Sequence, residues 1–221
     1  MISKDGSGIS GVVLRNDLKQ GNIYGRHAFF DKLRERMSFE RTGTKLYEAL
    51  LSKYYSLENK TDSHSHKIQD LPPIYQLEKF CNEEKNHFEM TKKLLLSMGL
   101  NSSSLEDVNG MVESSWIQII EDSQTSFVQA LEIILQAELV DNAGWEILIE
   151  LAESLNLDAA VLEFEHALEE ENVHLAYVRA WVSQLYLNGK IDEDPYAINE
   201  EDLMDDTADE EFYTKETNFI S

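Results

Sequence analysis

Only three prolines occur in the chain, at positions 72, 73 and 195, and their scarcity constrains the fold more than any other feature. Proline inside a helix removes a backbone donor and clashes with the preceding turn, so long proline-free segments are free to be helical. Within those segments apolar residues recur at steps of three and four, the spacing of one helical face. No strand pattern of any length competes. The first helix is expected from about His27 to Tyr55, with Leu33, Met37, Glu40, Thr44, Tyr47, Leu51 and Tyr54 on one face. The polar stretch SLENKTDSHSHKIQD then reads as a loop. Pro72-Pro73 stand at or just before the start of the second helix, where a missing N–H costs little. That helix runs to about Met98 and stops at Gly99, a natural C-terminal cap. Its inward face carries Leu77, Phe80, Cys81, Glu84, His87, Phe88, Thr91 and Leu95.

Residues 100–125 form a connection with a short helix around Leu105–Ile120. The third long helix is expected from about Ser126 to Leu155, with Leu131, Ile134, Glu138 and Trp145 sharing a face. The fourth begins near Asp158, read as its N-cap, and ends before Gly189. It turns Phe164, Leu168, Glu171, His174, Leu175, Val178 and Val182 inward. Four long helices joined by two short connections and one long one imply an all-α four-helix bundle, with the long crossover between the second and third helices. The expected layout is an N-terminal arm over residues 1–25, the bundle over 26–189 and an acidic tail over 190–221.

Hydrophobic residues make up 42% of the chain and aromatics 10%, enough to fill such a core. The single cysteine, Cys81, excludes an internal disulfide and is expected to be a buried, inert thiol. No basic start followed by an apolar run is visible, and no apolar stretch reaches membrane-spanning length, so a cytoplasmic, soluble protein is expected. The net charge of −23 repels nucleic acid and anionic membranes and attracts cations. Twelve acidic residues and two lysines between Lys190 and Ser221 give the tail −10, which leaves −13 on the rest of the chain. The tail is read as solvated and flexible.

All four apolar faces carry the same oddity. Glu40 lies on the first, Glu84 and His87 (in EEKNH) on the second, Glu138 on the third, and Glu171 and His174 (in EENVH) on the fourth. A lone buried carboxylate costs several kcal/mol or takes up a proton. Glu-x-x-His on a helix puts both side chains on one face, one turn apart. Together these faces supply four carboxylates and two imidazoles. Two divalent cations bring four positive charges, which four carboxylates balance. Imidazole nitrogen suits iron or manganese better than magnesium or calcium. A single Glu-x-x-His is a weak signal, and Glu163 with His166 is a decoy rotated by about 80° around its helix. The strength lies in the repeated layout. Each lone Glu is followed seven residues later by an aromatic, Tyr47 or Trp145, and each Glu-x-x-His is preceded by another acid, Glu83 or Glu170. The two halves look like an internal duplication.

This pattern resembles the ferritin-like di-iron carboxylate superfamily, its rubrerythrin and bacterioferritin branch in particular, over about residues 27–188. FERTGTKLYEAL and AELVDNAGWEILIELAE look like the first and third helices of bacterial ferritin-like domain proteins. The resemblance implies two iron ions, or a manganese–iron pair. Glu40 and Glu138 would be terminal ligands, Glu84 and Glu171 bridges, and His87 and His174 would each bind one metal. It also implies oxidoreductase chemistry with O2 or peroxide, of the ferroxidase or peroxidase type. Tyr47 reads most simply as a core aromatic, and a hydrogen-bond donor or redox relay beside the metals, the candidate catalytic role, is the alternative. The chain lacks the Cys-x-x-Cys pairs of a rubredoxin-type domain, and its loop after the first helix is longer than in cage-forming ferritins. Metal ions and O2 or peroxide are the expected partners, and a homodimer is compatible with an enzyme. Iron storage, with a large shell, and a metal-free helical interaction module are the alternatives.

Other residues carry weaker expectations. Glu83 and Glu170 read as surface residues, with a bond to the opposite histidine as the alternative. Trp145 reads as packing. Asp141 and Asn142 follow Glu138 by three and four, so one of them is a candidate to reach the site. Gly43 and Gly144 are costly inside helices, about 1 kcal/mol each relative to Ala, and imply close helix approach near the site. His64 and His66 read as solvent-loop residues.

Overall fold

A computed structural model describes residues 23–58, 71–100 and 111–191, all helical or in short turns. The helices are α1 (Ile23–Glu58), α2 (Ile74–Ser97), α3 (Met111–Glu121), α4 (Phe127–Ser154) and α5 (Asp158–Asn188). The first helix is longer than expected at both ends. It takes in the last residues assigned to the N-terminal arm and runs three residues beyond Tyr55. The loop histidines His64 and His66 and the acidic segment after Ile191 lie outside the described residues.

Local chemistry explains the ends. Pro73 is the residue before α2, as its missing donor allows. Past α2, Gly99 takes φ of 98°, with Gly99 N–H donating to the Leu96 carbonyl and Leu100 N–H to that of Leu95. This Schellman pairing needs a left-handed residue, which glycine supplies without strain. The turn between α4 and α5 repeats it with Asn156 at φ 56°: Asn156 N–H donates to Glu153 and Leu157 N–H to Ala152. The cap of α5 is therefore Leu157, which that turn fixes, and the expected N-cap Asp158 is instead the first helical residue, where its charge faces the helix N-terminus. Ser126 caps α4 in a reciprocal box. Its hydroxyl accepts from Gln129 N–H at 3.3 Å, and its own N–H donates to the Gln129 side chain at 2.8 Å.

The apolar residues form two layers. One joins Leu46, Tyr47, Leu50 and Tyr54 of α1 to Leu77 and Phe80 of α2, Phe127, Leu131 and Ile134 of α4, and Val178 and Trp181 of α5. The other joins Phe29, Leu33 and Met37 of α1 to Leu94 and Leu95 of α2, Trp145, Leu148 and Ala152 of α4, and Phe164 of α5. The layers therefore pair the start of α1 with the ends of α2 and α4 and the start of α5. Helices α1 and α5 run one way, α2 and α4 the other. Because α2 and α4 are parallel, the chain between them must travel the length of the bundle. That is the crossover of a ferritin-like topology. The later part of the crossover is α3, which seats Ile120 and Trp116 against the first layer. Lys53 of α1 pins its end by donating to the carbonyls of Asp122 and Thr125. Each large side chain buried in these layers contributes about 1.5–3 kcal/mol. Between the layers, the core is polar.

Candidate metal centre

All six residues singled out by spacing meet in that polar level. Glu40, Glu84, Glu138, Glu171 and His174 are buried to 1% exposure or less, and His87 to 4%. They converge because each interrupts an apolar stripe at the same height: Glu40 between Met37 and Leu46, Glu84 and His87 between Phe80 and Leu94, Glu138 between Ile134 and Trp145, and Glu171 and His174 between Ala167 and Val178. The decoy pair, Glu163 and His166, is exposed on α5.

Donor atoms of Glu84, Glu138, Glu171 and His174 lie within 4.8 Å of one another, as do those of Glu40, His87 and Glu171. Glu171 belongs to both clusters. His87 Nδ1 is 2.7 Å from Glu171 Oε1 and 3.5 Å from Glu40 Oε2. His174 Nδ1 is 3.0 Å from Glu171 Oε2, 3.6 Å from Glu84 Oε1 and 3.8 Å from Glu138 Oε2. Both Nδ1 atoms, both Glu171 oxygens, Glu84 Oε2, Glu138 Oε2 and Glu40 Oε2 are buried, yet none makes an aligned hydrogen bond. Buried polar atoms are normally satisfied, and a half-satisfied network is costly. Atoms that converge without hydrogen bonds are the arrangement that a cation completes.

The outer ring nitrogens are satisfied in a reciprocal pattern. His87 Nε2 lies 2.8 Å from Glu170, and His174 Nε2 lies 3.1 Å from Glu83. Each of these acids, read as a surface residue from sequence, instead reaches the histidine of the opposite Glu-x-x-His helix. An acceptor at Nε2 favours a proton there and turns Nδ1 toward the cluster, the usual way a protein orients an imidazole that can bind a metal. Tyr47 O–H donates to Glu138 Oε1 at 2.5 Å, and its ring lies edge-on to His174.

Two further residues enter the site. Asp141 is 2% exposed, and a carboxylate oxygen of it lies within 4.8 Å of donor atoms of Glu40, Glu84 and Glu171. Arg36, unnoticed from sequence, is 3% exposed. Its Nε contacts Glu40 Oε1 at 2.9 Å and its Nη2 contacts Asp141 Oδ1 at 2.6 Å, while Nη1 donates to the Asp141 carbonyl at 2.8 Å. An Arg four residues before a Glu reads as an ordinary surface pair, which is why it passed unnoticed. The available signal was Gly144. A β-carbon there would collide with Arg36 Nη1, just as one on Gly43 would collide with the Glu84 carboxylate. Both glycines are therefore there for space. Asn142 does not join the cluster. Its amide donates to the carbonyls of Glu138 and Glu171, tying α4 to α5. Trp145 packs as expected, fully buried, with Arg36, His87 and Phe164 around its ring. Cys81 is only partly buried, which still pushes its thiol up to about 11 and keeps it protonated.

Burial, then the neighbouring acid Glu171, pushes Glu84 up to about 8. Burial and the same neighbour hold Glu138 well above the carboxylate range. Asp141 is also raised, by burial that the attraction of Arg36 only partly offsets. For Glu171, burial is outweighed by the charge and contacts of His174 and His87, and it is held well below its usual value. Burial would lower both histidines, but contacts with the surrounding carboxylates outweigh it and raise them. Without a metal the site therefore holds protons where cations would sit. The buried acids Glu40, Glu84, Glu138, Asp141 and Glu171 carry five negative charges when ionised. Arg36 and two divalent cations with neutral histidines would balance them.

Comparison with family models, with curated proteins and with solved structures finds no match. What the chain itself presents is an all-α fold with two buried Glu/His clusters capable of coordinating a dimetal centre, as in ferritin-like proteins. Among the described residues, no helix is long and apolar enough to cross a membrane.

Proposed function

We propose that the chain is a non-haem dimetal oxidoreductase, with two iron ions or a manganese–iron pair, acting on O2 or peroxide in the manner of a ferroxidase or peroxidase. One observation carries this reading: two histidine nitrogens and at least four carboxylate oxygens converge between dry apolar layers without hydrogen bonds among them. When bound, the metal pair supplies the electrons that reduce O2 or peroxide.

The residues divide the work. Glu84 and Glu171, which each fall in more than one group of close donors, would bridge the two ions, and Glu40 and Glu138 would each close one position. The Oε1 atoms of those two are engaged, by Arg36 and by Tyr47, which leaves each Oε2 free toward the site. His87 and His174 would bind through Nδ1, the ring nitrogen each turns toward the cluster. Glu83 and Glu170 hold the Nε2 protons and fix the tautomer. The Tyr47 phenol touches Glu138, one of the candidate ligand carboxylates. It keeps its proton, because burial and then the Glu138 charge raise it well above its usual value, so it serves as a hydrogen-bond donor at Glu138. The aromatic layers on either side exclude water.

The test is anaerobic loading of full-length protein with Fe2+, followed by O2 or H2O2, with absorbance and O2 uptake recorded. Consumption of oxidant with an accompanying near-ultraviolet band, absent in Glu84→Ala, is the expected result. Stoichiometric iron binding with no oxidant consumed would refute the redox reading.

A further inference from the structure

The two halves of the site match closely, which makes their differences informative. Glu40 and Glu138 correspond, as do Glu84 and Glu171, His87 and His174, and Glu83 and Glu170. Four residues before each lone Glu the halves diverge: Arg36 stands in one, Ile134 in the other. Three residues after it, Gly43 in one half corresponds to Asp141 in the other, and seven after, Tyr47 corresponds to Trp145.

The consequence falls on one side. The cluster around His174 has four residues whose donors are mutually close, Glu84, Glu138, Glu171 and His174. The cluster around His87 has three, Glu40, His87 and Glu171; the group adjoining it, Glu40, Glu84, Asp141 and Glu171, has no histidine and includes both acids that Arg36 holds. Arg36 occupies what would make up the difference. It holds Glu40 Oε1 at 2.9 Å and Asp141 Oδ1 at 2.6 Å. Its guanidinium is locked by the Asp141 carbonyl and by the rings of Phe39 and Trp145 at 4.6 and 5.5 Å. The space it fills exists because residue 144 is glycine. At the other position the matching donor to Glu138 is the neutral Tyr47 phenol. Arginine stays charged under all ordinary conditions, so a cation is fixed beside one metal position and not the other.

We propose that Arg36 makes the two metal positions unequal: the one built on Glu138 and His174 fills first and more tightly, and the one built on Glu40 and His87 is the weaker, exchangeable position. Arg36 acts as a positioning residue, by withholding Glu40 Oε1 and Asp141 from the metal and by opposing its charge. The inference rests on the dimetal reading above.

The test is titration of metal-free, full-length protein with Mn2+, following loss of the free-ion EPR signal. Two steps separated by about ten-fold or more in dissociation constant, roughly 1.4 kcal/mol, are expected. Glu138→Gln should abolish the tight step, and Glu40→Gln only the weak one. Arg36→Gln should narrow the gap, because it frees Asp141 and Glu40 as ligands, while Arg36→Lys, which keeps the charge, should retain it. Should Arg36→Gln not fold, the order of loss in the two glutamate variants decides the filling order. Two equivalents binding in one unresolved step, or an unchanged gap in Arg36→Gln, would overturn this inference and leave the dimetal reading standing. No Mn2+ binding would overturn both.

Discussion

Replacing Gly43 with alanine should separate the protein's two states. Gly43 lies in mid-helix in α1, where alanine is better than glycine by about 1 kcal/mol. An added β-carbon, however, would sit 2.7 Å from the Glu84 carboxyl carbon and closer still to Oε2. Without metal, that carboxyl is the end of a flexible side chain and can rotate away. The metal-free variant should therefore melt at the same temperature as the parent or about 2–4 °C higher. If Glu84 bridges two ions when metal is bound, as proposed above, it cannot move, and overpacking of this kind costs about 1–3 kcal/mol. Affinity should fall about 5- to 150-fold. The assay is paired thermal melts with and without Mn2+ or Fe2+, alongside a metal titration. A variant destabilised without metal but with an unaltered metal-induced shift would show that Gly43 serves helix packing alone and that Glu84 is not held by metal.

Other consequences follow from the same geometry. Glu83→Gln and Glu170→Gln remove the charged acceptors at His174 and His87, and each should weaken metal binding about 10- to 100-fold with little change in helix content, read by titration and circular dichroism. Tyr47→Phe leaves Glu138 Oε1 without its donor and should destabilise the fold by about 1–3 kcal/mol in denaturant while metal content is retained; loss of both metals would instead make Tyr47 part of the ligand set. Stability of the metal-free protein should fall as pH rises. Glu84, raised to about 8, with Glu138 and Asp141, contributes stability that is complete below the ordinary carboxylate range and lost as pH climbs through the raised values. The raised histidines act in the same direction: their contribution is complete below about 6.5, declines progressively above it and is lost only past their raised folded values, while the lowered Glu171 acts oppositely, losing its contribution only in acid. Metal binding requires deprotonated ligands, so the metal-induced rise in melting temperature should be larger at pH 8 than at pH 5.5. A metal-free melting temperature that holds level between those values would contradict this assignment.

The fold was legible because helical period and proline position are local signals. Leu33, Met37, Leu77 and Phe164 each point where their spacing places them, and the parallel course of α2 and α4 follows from the length of the chain between them. The six ligand candidates were legible for a related reason: a carboxylate on an apolar stripe contradicts its surroundings, and six such contradictions at matching heights have one economical resolution. What escaped reading depends on contacts between helices. Arg36 lies beside its stripe, and only the α1–α4 approach at Gly144 buries it. Glu83 and Glu170 sit at the edge of their faces, and whether an edge residue meets solvent or the histidine across the bundle is set by interhelical distance, which sequence spacing does not encode. Asn142 took the backbone carbonyls and Asp141 the arginine, a choice fixed by helix rotation finer than a residue count resolves.

The central claim is a pair of metal ions held by side chains from four helices. Metal analysis of freshly purified protein, alongside Glu171→Ala and His174→Ala, tests it most directly. Two ions per chain in the parent, with Glu171→Ala losing both and His174→Ala losing at least one, is the result this account requires. A parent free of transition metal after aerobic or anaerobic loading, or a Glu171→Ala variant that keeps both ions, would contradict it.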